Sequence, residues 1–364
     1  MLLKAGYQAL FVGGCVRNEL LSEPVADIDI STDALPNRVI SLAKMAGLRA
    51  LPTGIEHGTV TVIADGVPHE ITTFRQDVET DGRHAVVSFS DCIDDDARRR
   101  DFTMNALYAT ADGDVVDPLG EGLSDLNARC FRFIEDADRR IREDYLRILR
   151  YFRFHAWYGD PDAGMDADAL AAIAANLDGL GSLSKERVGS EMLKLLAARN
   201  PAPSVAAMRQ TGVLPFVIDG ADDRALAPLV HLEADLQIDP IRRLAALGGE
   251  NVAKLLRLSK RQAKSLEVFR QGIGNTQGAA ELGYRHGIET GMGILTLRSA
   301  VFETPIVQDT WAELSRGALA KFPIRAADLM RNYSGPALGR ALTLLEKRWV
   351  DSGFLLTKEE LLAS

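Results

Sequence analysis

The run Phe11-Val12-Gly13-Gly14-Cys15-Val16-Arg17-Asn18-Glu19-Leu20-Leu21, followed by Asp27-Ile28-Asp29, decides how this chain is read. Leu10 to Val12 has the character of a buried strand end, and Gly13-Gly14 lets the backbone turn sharply into a helix starting near Cys15. Backbone N–H groups at a helix start attract phosphate, and Arg17, one turn in, adds a charge-assisted contact. Residues i and i+2 of a strand face one side, so the carboxylates of Asp27 and Asp29 are expected to converge. Two like charges at one point are costly unless cations sit between them. Magnesium suits such a pair, because it takes one or two protein carboxylates and completes its shell with water and phosphate oxygens. Asp-x-Asp alone also occurs as an acidic turn; the glycine turn before it makes the two a constellation.

The 364 residues leave room for two or three domains, and 46% hydrophobic with 26% charged residues points to a globular chain rather than a disordered or fibrous one. No apolar stretch approaches the roughly 18 to 20 residues of a membrane span, and no signal sequence opens the chain, so a cytoplasmic location is expected. Cys15, Cys92 and Cys130 are widely spaced and odd in number, which argues against a disulfide framework or a zinc site. The six histidines are dispersed, which argues against a histidine-based metal hydrolase. The net charge of −9 excludes a wholesale polyanion binder, but not a local basic footprint. Arginines cluster at Arg98-Arg99-Arg100 and again at Arg139, Arg140, Arg142, Arg147, Arg150 and Arg153.

Up to about residue 120 the pattern is mixed. Val60–Ile63, His69–Phe74 and Leu107–Ala109 read as short strands between turn formers, and a helix is expected over Asn37–Ala46 after Leu35-Pro36. Beyond about residue 125 helical spacing dominates, as in Asp144–Trp157, Ala167–Asn176, Lys185–Ala198 and Leu338–Trp349. The glycine-rich stretch Gly272–Gly293 is the expected linker.

Glu70 is the expected third carboxylate of a two-metal site, because it lies in a strand-like run of the same head; a strand-end glutamate with no role is the alternative. Asp94-Asp95-Asp96-Ala97-Arg98-Arg99-Arg100-Asp101 can be a self-paired, capped helix, yet that alternative does not need Arg99-Arg100-Asp101-Phe102-Thr103-Met104-Asn105-Ala106 in particular. Asp144 and Arg147, three apart on a helix expected to begin near Arg142, share a face. They form either an ion pair or a protein template for a base. Arg only donates and ionised Asp only accepts. Cytosine and adenine present an amine beside a ring-nitrogen acceptor, whereas uracil and guanine place a carbonyl oxygen where the amine would be, so such a pair accepts C and A and rejects U and G.

With these motifs in order, the chain resembles the class II CCA-adding tRNA nucleotidyltransferases of the bacterial poly(A) polymerase-related family. Gly13-Gly14-Cys15-Val16-Arg17…Asp27-Ile28-Asp29 is similar to motif A, Arg99-Arg100-Asp101 to motif B, Asp117-Pro118-Leu119-Gly120…Asp125-Leu126 to motif C and Glu143-Asp144-Tyr145-Leu146-Arg147 to the base-selecting motif. Ser184-Lys185-Glu186-Arg187-Val188-Gly189-Ser190-Glu191 is similar to the bracing motif. One departure is Asn18, where the family usually has Asp; the amide can still cap or bridge. The resemblance implies an α+β fold, with a polymerase-β-like nucleotidyltransferase head at 1–127. An all-helical neck at 128–198, body at 199–270 and tail at 271–364 follow, the tail contacting the tRNA elbow.

It further implies addition of C, C and A to the tRNA 3′ end from CTP and ATP, with two magnesium ions on Asp27 and Asp29 and Glu70 completing the catalytic carboxylates. Gly13, Gly14, Arg17, Arg99, Arg100, Asp101, Asn105, Asp144, Arg147, Arg150 and Arg153 are the implied nucleotide-binding residues, and Glu186 and Arg187 the brace. No protein or membrane partner is expected. Gly54–Val62 resembles the CCA-adding form rather than a poly(A) polymerase. Gln76–Arg98, centred on Thr80-Asp81-Gly82-Arg83-His84, resembles the flexible loop that CC-adding enzymes lack. An A-adding or CC-adding specialist, a poly(A) polymerase, a small-molecule nucleotidyltransferase and a catalytically silent tRNA-binding protein are the alternatives.

Overall fold

The computed structural model describes residues 1–81, 84–233, 236–307 and 309–363, with side chains outside 77–86. Two compact units form: Met1–Gly220 with Glu250–Arg257, and Ala221–Gly249 with Leu258–Ser364. The first begins with β1 (Leu10–Val12), α1 (Gly14–Leu20), β2 (Asp29–Thr32), α2 (Pro36–Met45), β3 (Arg49–Gly54), β4 (Thr59–Ala64) and β5 (Val67–Thr73). It continues with β6 (Arg75–Asp81), β7 (His84–Phe89), α3 (Ile93–Arg98), β8 (Tyr108–Ala109), β9 (Val115–Val116) and α4 (Gly122–Asn127). Seven strands form one sheet in the order β3-β4-β5-β2-β1-β8-β9, and β6 and β7 form a separate hairpin.

Within the sheet only β2 and β5 run parallel, with Asp29 opposite Glu70. The helix α2 starts at Pro36, where proline's missing N–H costs nothing. It lays Val39, Leu42 and Ala43 on Val60, Val62 and Ile71 of the sheet. The expected strand carrying both aspartates is corrected: β2 starts at Asp29, and Asp27 and Ile28 lie before it. The physical reason is the partner strand. β1 pairs Leu10 with Ser31 and Phe11 with Ile30, then turns away at Gly13, so nothing extends the ladder to Asp27.

The expected loop Gln76–Arg98 is also corrected, since the β6–β7 hairpin and α3 fill it; Gly82 and Arg83 lie outside the described residues.

Helices follow: α5 (Ala137–Glu143), α6 (Leu146–Tyr158), α7 (Ala167–Ala175), α8 (Lys185–Leu196), α9 (Ala202–Gln210) and α10 (Val213–Val217). Caps written in the sequence start three of them. The side chains of Asp136, Asp166 and Ser184 accept from Arg139, Ala169 and Arg187 N–H. The helix expected from near Arg142 is instead broken at Asp144 (φ −153°, ψ 103°), whose carboxylate accepts the Leu146 N–H at 3.1 Å. Phe102 meets Phe154 edge-on at 5.6 Å, Phe131 stacks on Phe154 at 5.7 Å and Phe133 on Tyr151 at 5.6 Å. This aromatic cluster welds α6 to the sheet domain.

The second unit holds α11 (Leu226–Leu232) and α12 (Pro240–Leu247); α13 (Val252–Leu255) belongs to the first. The second unit continues with α14 (Lys260–Gly274), α15 (Ala279–Phe302), α16 (Thr310–Leu319), α17 (Ala326–Leu329), α18 (Gly335–Asp351) and α19 (Lys358–Leu362). The expected linker Gly272–Gly293 is corrected: it is mostly helix. A Cβ at Gly283 would overlap the Leu314 carbonyl, and one at Gly317 the Ala280 carbonyl, so these glycines let α15 and α16 pack backbone to backbone. No described helix is long and apolar enough to cross a membrane.

Candidate active site

Gly13 adopts φ 73°, ψ −122°, a region that favours glycine. Its N–H donates to the Leu107 carbonyl at 3.1 Å. A Cβ on Gly13 would stand 3.1 Å from Arg100 Nη1, so the bare turn is what lets this guanidinium close on it.

Arg100 is held from behind. Its Nη2 donates to Asp96 Oδ2 at 3.0 Å and its Nε to the Tyr108 hydroxyl at 3.2 Å. Asp96, fully buried, also accepts from Arg99 Nε at 2.7 Å, from Tyr108 at 2.8 Å and from Ser31 at 3.3 Å. Burial alone would push the Asp96 carboxyl up, but Arg100 and Arg99 hold it well below the usual carboxylate range. The acidic-basic run is thus self-paired around one buried carboxylate, and that pairing aims Arg100 at the glycine turn.

Asp29 stands at the start of β2 beside Glu70 of β5. Protein packed around the Asp29 carboxyl pushes its pKa up; Arg100 opposes this and Asp27 adds to it. Asp27 and Asp29 therefore feel each other's charge, and Arg100 feels Asp29. Among the described residues no three His, Cys, Asp or Glu side chains gather closely enough to hold a metal ion. Hard oxygen donors that repel each other beside a cationic turn do fit magnesium, which needs only one or two protein carboxylates.

Arg17 is buried, with 4% of its surface exposed. Asn18 Oδ1 accepts from its Nη2 at 2.8 Å and Asn105 Oδ1 from its Nη1. Asn18 also donates to the Pro24 carbonyl at 2.8 Å, so the amide at this position bridges. From Asn105 the network continues: its Nδ2 donates to Asp101 Oδ1 at 2.9 Å, and Asp101 Oδ2 accepts from Arg150 Nη2 at 2.6 Å. Burial would raise the Asp101 carboxyl, but Arg150 with the Asn105 hydrogen bond lowers it to about 2.

Asp144 and Arg147 are not paired with each other. Asp144 Oδ2 accepts from Arg187 Nη2 at 2.6 Å. Arg147 Nη1 donates to Glu143 at 2.7 Å and to the Arg140 carbonyl at 2.8 Å, and its Nη2 to the Arg99 carbonyl at 3.0 Å. Arg147 Nε has no acceptor among the described residues, so an edge of the fork is open. Arg153 is paired with Glu191 and lies 4.0 Å over the Phe154 ring. The brace divides: Arg187 holds Asp144, while Glu186 pairs with exposed Arg257 at 2.9 Å.

Tyr108 and Ser31 escaped the sequence reading, as did the roles of Asp96, Glu143 and Glu191 as anchors of the arginines. Asp96 carried a usable signal, lying three and four residues before Arg99 and Arg100. Tyr108 and Ser31 carried none, since the sheet brings them in from remote segments.

Two family models match: the poly A polymerase head domain over residues 9–132 and the probable RNA and SrmB-binding site of polymerase A over residues 164–223. The mitochondrial CCA tRNA nucleotidyltransferase 1 of Danio rerio is 32% identical over 99% of this chain and 88% of its own length. The CCA-adding enzyme of Geobacillus thermodenitrificans is 38% identical over 59% of this chain and 52% of its own. The crystal structure of the Bacillus stearothermophilus CCA-adding enzyme in complex with CTP superposes with a TM-score of 0.77 at 26% identity, covering 96% of this chain and 90% of that one. Relatives aligned across this whole length, over a head that carries the glycine turn, the aspartates and the Asp96-anchored arginines, lead to one assignment: the chain belongs to the CCA-adding tRNA nucleotidyltransferase family.

Proposed function

We propose that this chain adds C, C and A to the 3′ end of tRNA from CTP and ATP, without a nucleic-acid template, releasing pyrophosphate. The observation that carries the reading is Arg100, whose guanidinium closes on the Gly13 turn, acts on the charge of Asp29 and is fixed by buried Asp96. A cationic turn and a carboxylate pair at one sheet end fit a triphosphate whose phosphorus is to be attacked. Gly13, Gly14 and Arg100 cradle the triphosphate, with Arg17 beneath the turn. Asp27 and Asp29 would hold two magnesium ions, which would supply charge neutralisation for the entering and leaving oxygens. The tRNA 3′-oxygen forms a bond to the α-phosphorus, the α–β bridging bond breaks, and Glu70, opposite Asp29 in the sheet, takes the hydroxyl proton.

Base choice falls to Asp144 and Arg147. Asp144 keeps lone pairs for an amine after accepting from Arg187, and the open edge of Arg147 donates to a ring nitrogen. Arg150 and Arg153 hold α6 in place through Asp101 and Glu191. The second unit carries a cavity of about 580 Å³ lined by residues that include Tyr333, Arg340 and Arg348, which fits contact with the tRNA elbow through phosphate and shape rather than sequence. A cytoplasmic site of action completes the reading.

Asp29→Ala tests it. The variant should lose incorporation of both CTP and ATP while retaining tRNA binding in a gel-shift assay; sustained turnover would remove Asp29 from the metal site.

A further inference from the structure

Arg17 is a buried cation without a carboxylate partner in ion-pair distance among the described residues. Its hydrogen-bond acceptors are the neutral amides of Asn18 and Asn105, and the Tyr158 hydroxyl also acts on its charge. Its guanidinium carbon instead lies 4.1 Å from the Tyr158 ring centroid and 4.9 Å from that of Phe154. A guanidinium stays charged in such surroundings and stacks flat on aromatic faces. Both rings belong to the C-terminal half of α6, the helix whose N-terminal half carries Arg147 and Arg150. On its other side, Arg17 Nη2 would lie 3.8 Å from a Cβ at Gly14.

The base-selecting helix is therefore tied to the head at three levels. Arg147 donates to the Arg99 carbonyl at its start, Arg150 pairs with Asp101 in its middle, and Tyr158 covers Arg17 at its end. Asn105 closes the circuit by joining Arg17 to Asp101. Tyr158 is half-buried, in contrast to the fully buried Tyr151, and touches the aromatic cluster only at its edge, through Phe154 at 6.1 Å.

We propose that Tyr158 is a positioning residue for the nucleoside triphosphate. Its ring holds the Arg17 guanidinium flat beneath the Gly13–Gly14 turn, so the far end of the base-selecting helix sets the phosphate cradle. The inference rests on the reading of that turn as the triphosphate site. It separates two properties along one helix: its start sets which base is accepted, and its end sets how well any triphosphate is held.

Steady-state incorporation of one CTP, and separately one ATP, on tRNA transcripts gives the test. Tyr158→Leu removes the π face at a half-buried position and should raise KM for CTP and ATP alike by about tenfold, the scale of a partly desolvated cation–π contact. The ratio of kcat/KM for CTP over UTP should not move. Tyr158→Phe keeps the ring and should restore KM, a rescue that a hydroxyl-based role would not show. Because Tyr158 acts through Arg17, Tyr158→Leu should add little in an Arg17→Lys background.

An unchanged KM in Tyr158→Leu, a Tyr158→Phe variant as impaired as Tyr158→Leu, or a full further tenfold loss in the Arg17→Lys background would each overturn the proposal. If Arg17→Lys itself leaves both KM values unchanged, the triphosphate reading of the turn fails and the proposal falls with it.

Discussion

Replacing Asp96 by asparagine removes one buried charge on which two arginines depend. The carboxylate is fully buried and accepts from Arg99, Arg100, Tyr108 and Ser31. Asparagine keeps one acceptor oxygen and turns an NH2 group toward donors, so at least one of these contacts becomes donor against donor. Arg99 and Arg100 lose their counter-charge while their side chains are only 16% and 19% exposed. Breaking a buried ion pair from one side costs about 3–5 kcal/mol. Some remaining solvent access for both guanidiniums places the loss near the lower end, about 3 kcal/mol, or on the order of a hundredfold in the folding equilibrium.

Urea unfolding of both proteins from pH 8 to pH 3 measures that difference and its pH dependence. The folded carboxyl titrates below its unfolded value of about 3.9, so its ionic contribution is fully present above about pH 5 and is lost as pH falls toward the folded pKa. The gap between the two proteins should hold steady from pH 8 to pH 5 and close below about pH 4. A gap under about 1 kcal/mol at pH 7, or one that already narrows between pH 7 and pH 5, would refute the reasoning. Arg100 loses its backing at the same time, so KM for CTP should rise in the variant.

Asp144→Ala should relax discrimination against UTP and GTP by about 10- to 100-fold in kcat/KM ratios, the scale of one or two lost buried hydrogen bonds; unchanged ratios would reduce Asp144 to the partner of Arg187. Arg187→Ala, which removes only the anchor, should relax the same ratios less. Gly317→Ala should lower the melting temperature of the second unit, because a Cβ there overlaps the Ala280 carbonyl and the α15–α16 contact must open at a cost of about 1–3 kcal/mol. A melting temperature equal to that of the parent would mean that the two helices do not need backbone contact.

Much of the head was legible because its elements are short and punctuated. Val60–Ile63 lies inside β4, His69–Phe74 overruns β5 by one residue at Phe74, and Leu35-Pro36 marks the start of α2 within a residue. What escaped the sequence has local physical reasons. The hairpin β6–β7 is built from a polar run, Gln76-Asp77-Val78-Glu79-Thr80-Asp81, that carries no clear apolar alternation. Helical periodicity runs unbroken through Asp144, yet the carboxylate caps Leu146 and pairs with Arg187, breaking α5 from α6. Glycines read as a linker turned out to be contact points, since the space they leave is filled by a neighbouring helix backbone.

For the site, residues close in sequence were found and their distant supports were not. Arg99 and Arg100 were legible; Tyr108 and Ser31, brought to Asp96 by the sheet, were not. Asp27 and Asp29 were read as a strand pair, but only Asp29 has a strand partner.

The central claim is that one chain holds a triphosphate against magnesium and selects C and A by protein side chains alone. Purified protein with magnesium and labelled CTP or ATP, offered tRNA transcripts that end before the first C or after the second, tests it most directly. The account expects CTP on the shorter transcript, ATP on the longer one, and no UTP or GTP on either. Addition to only one transcript, long adenosine tails, or no magnesium-dependent pyrophosphate release would contradict it.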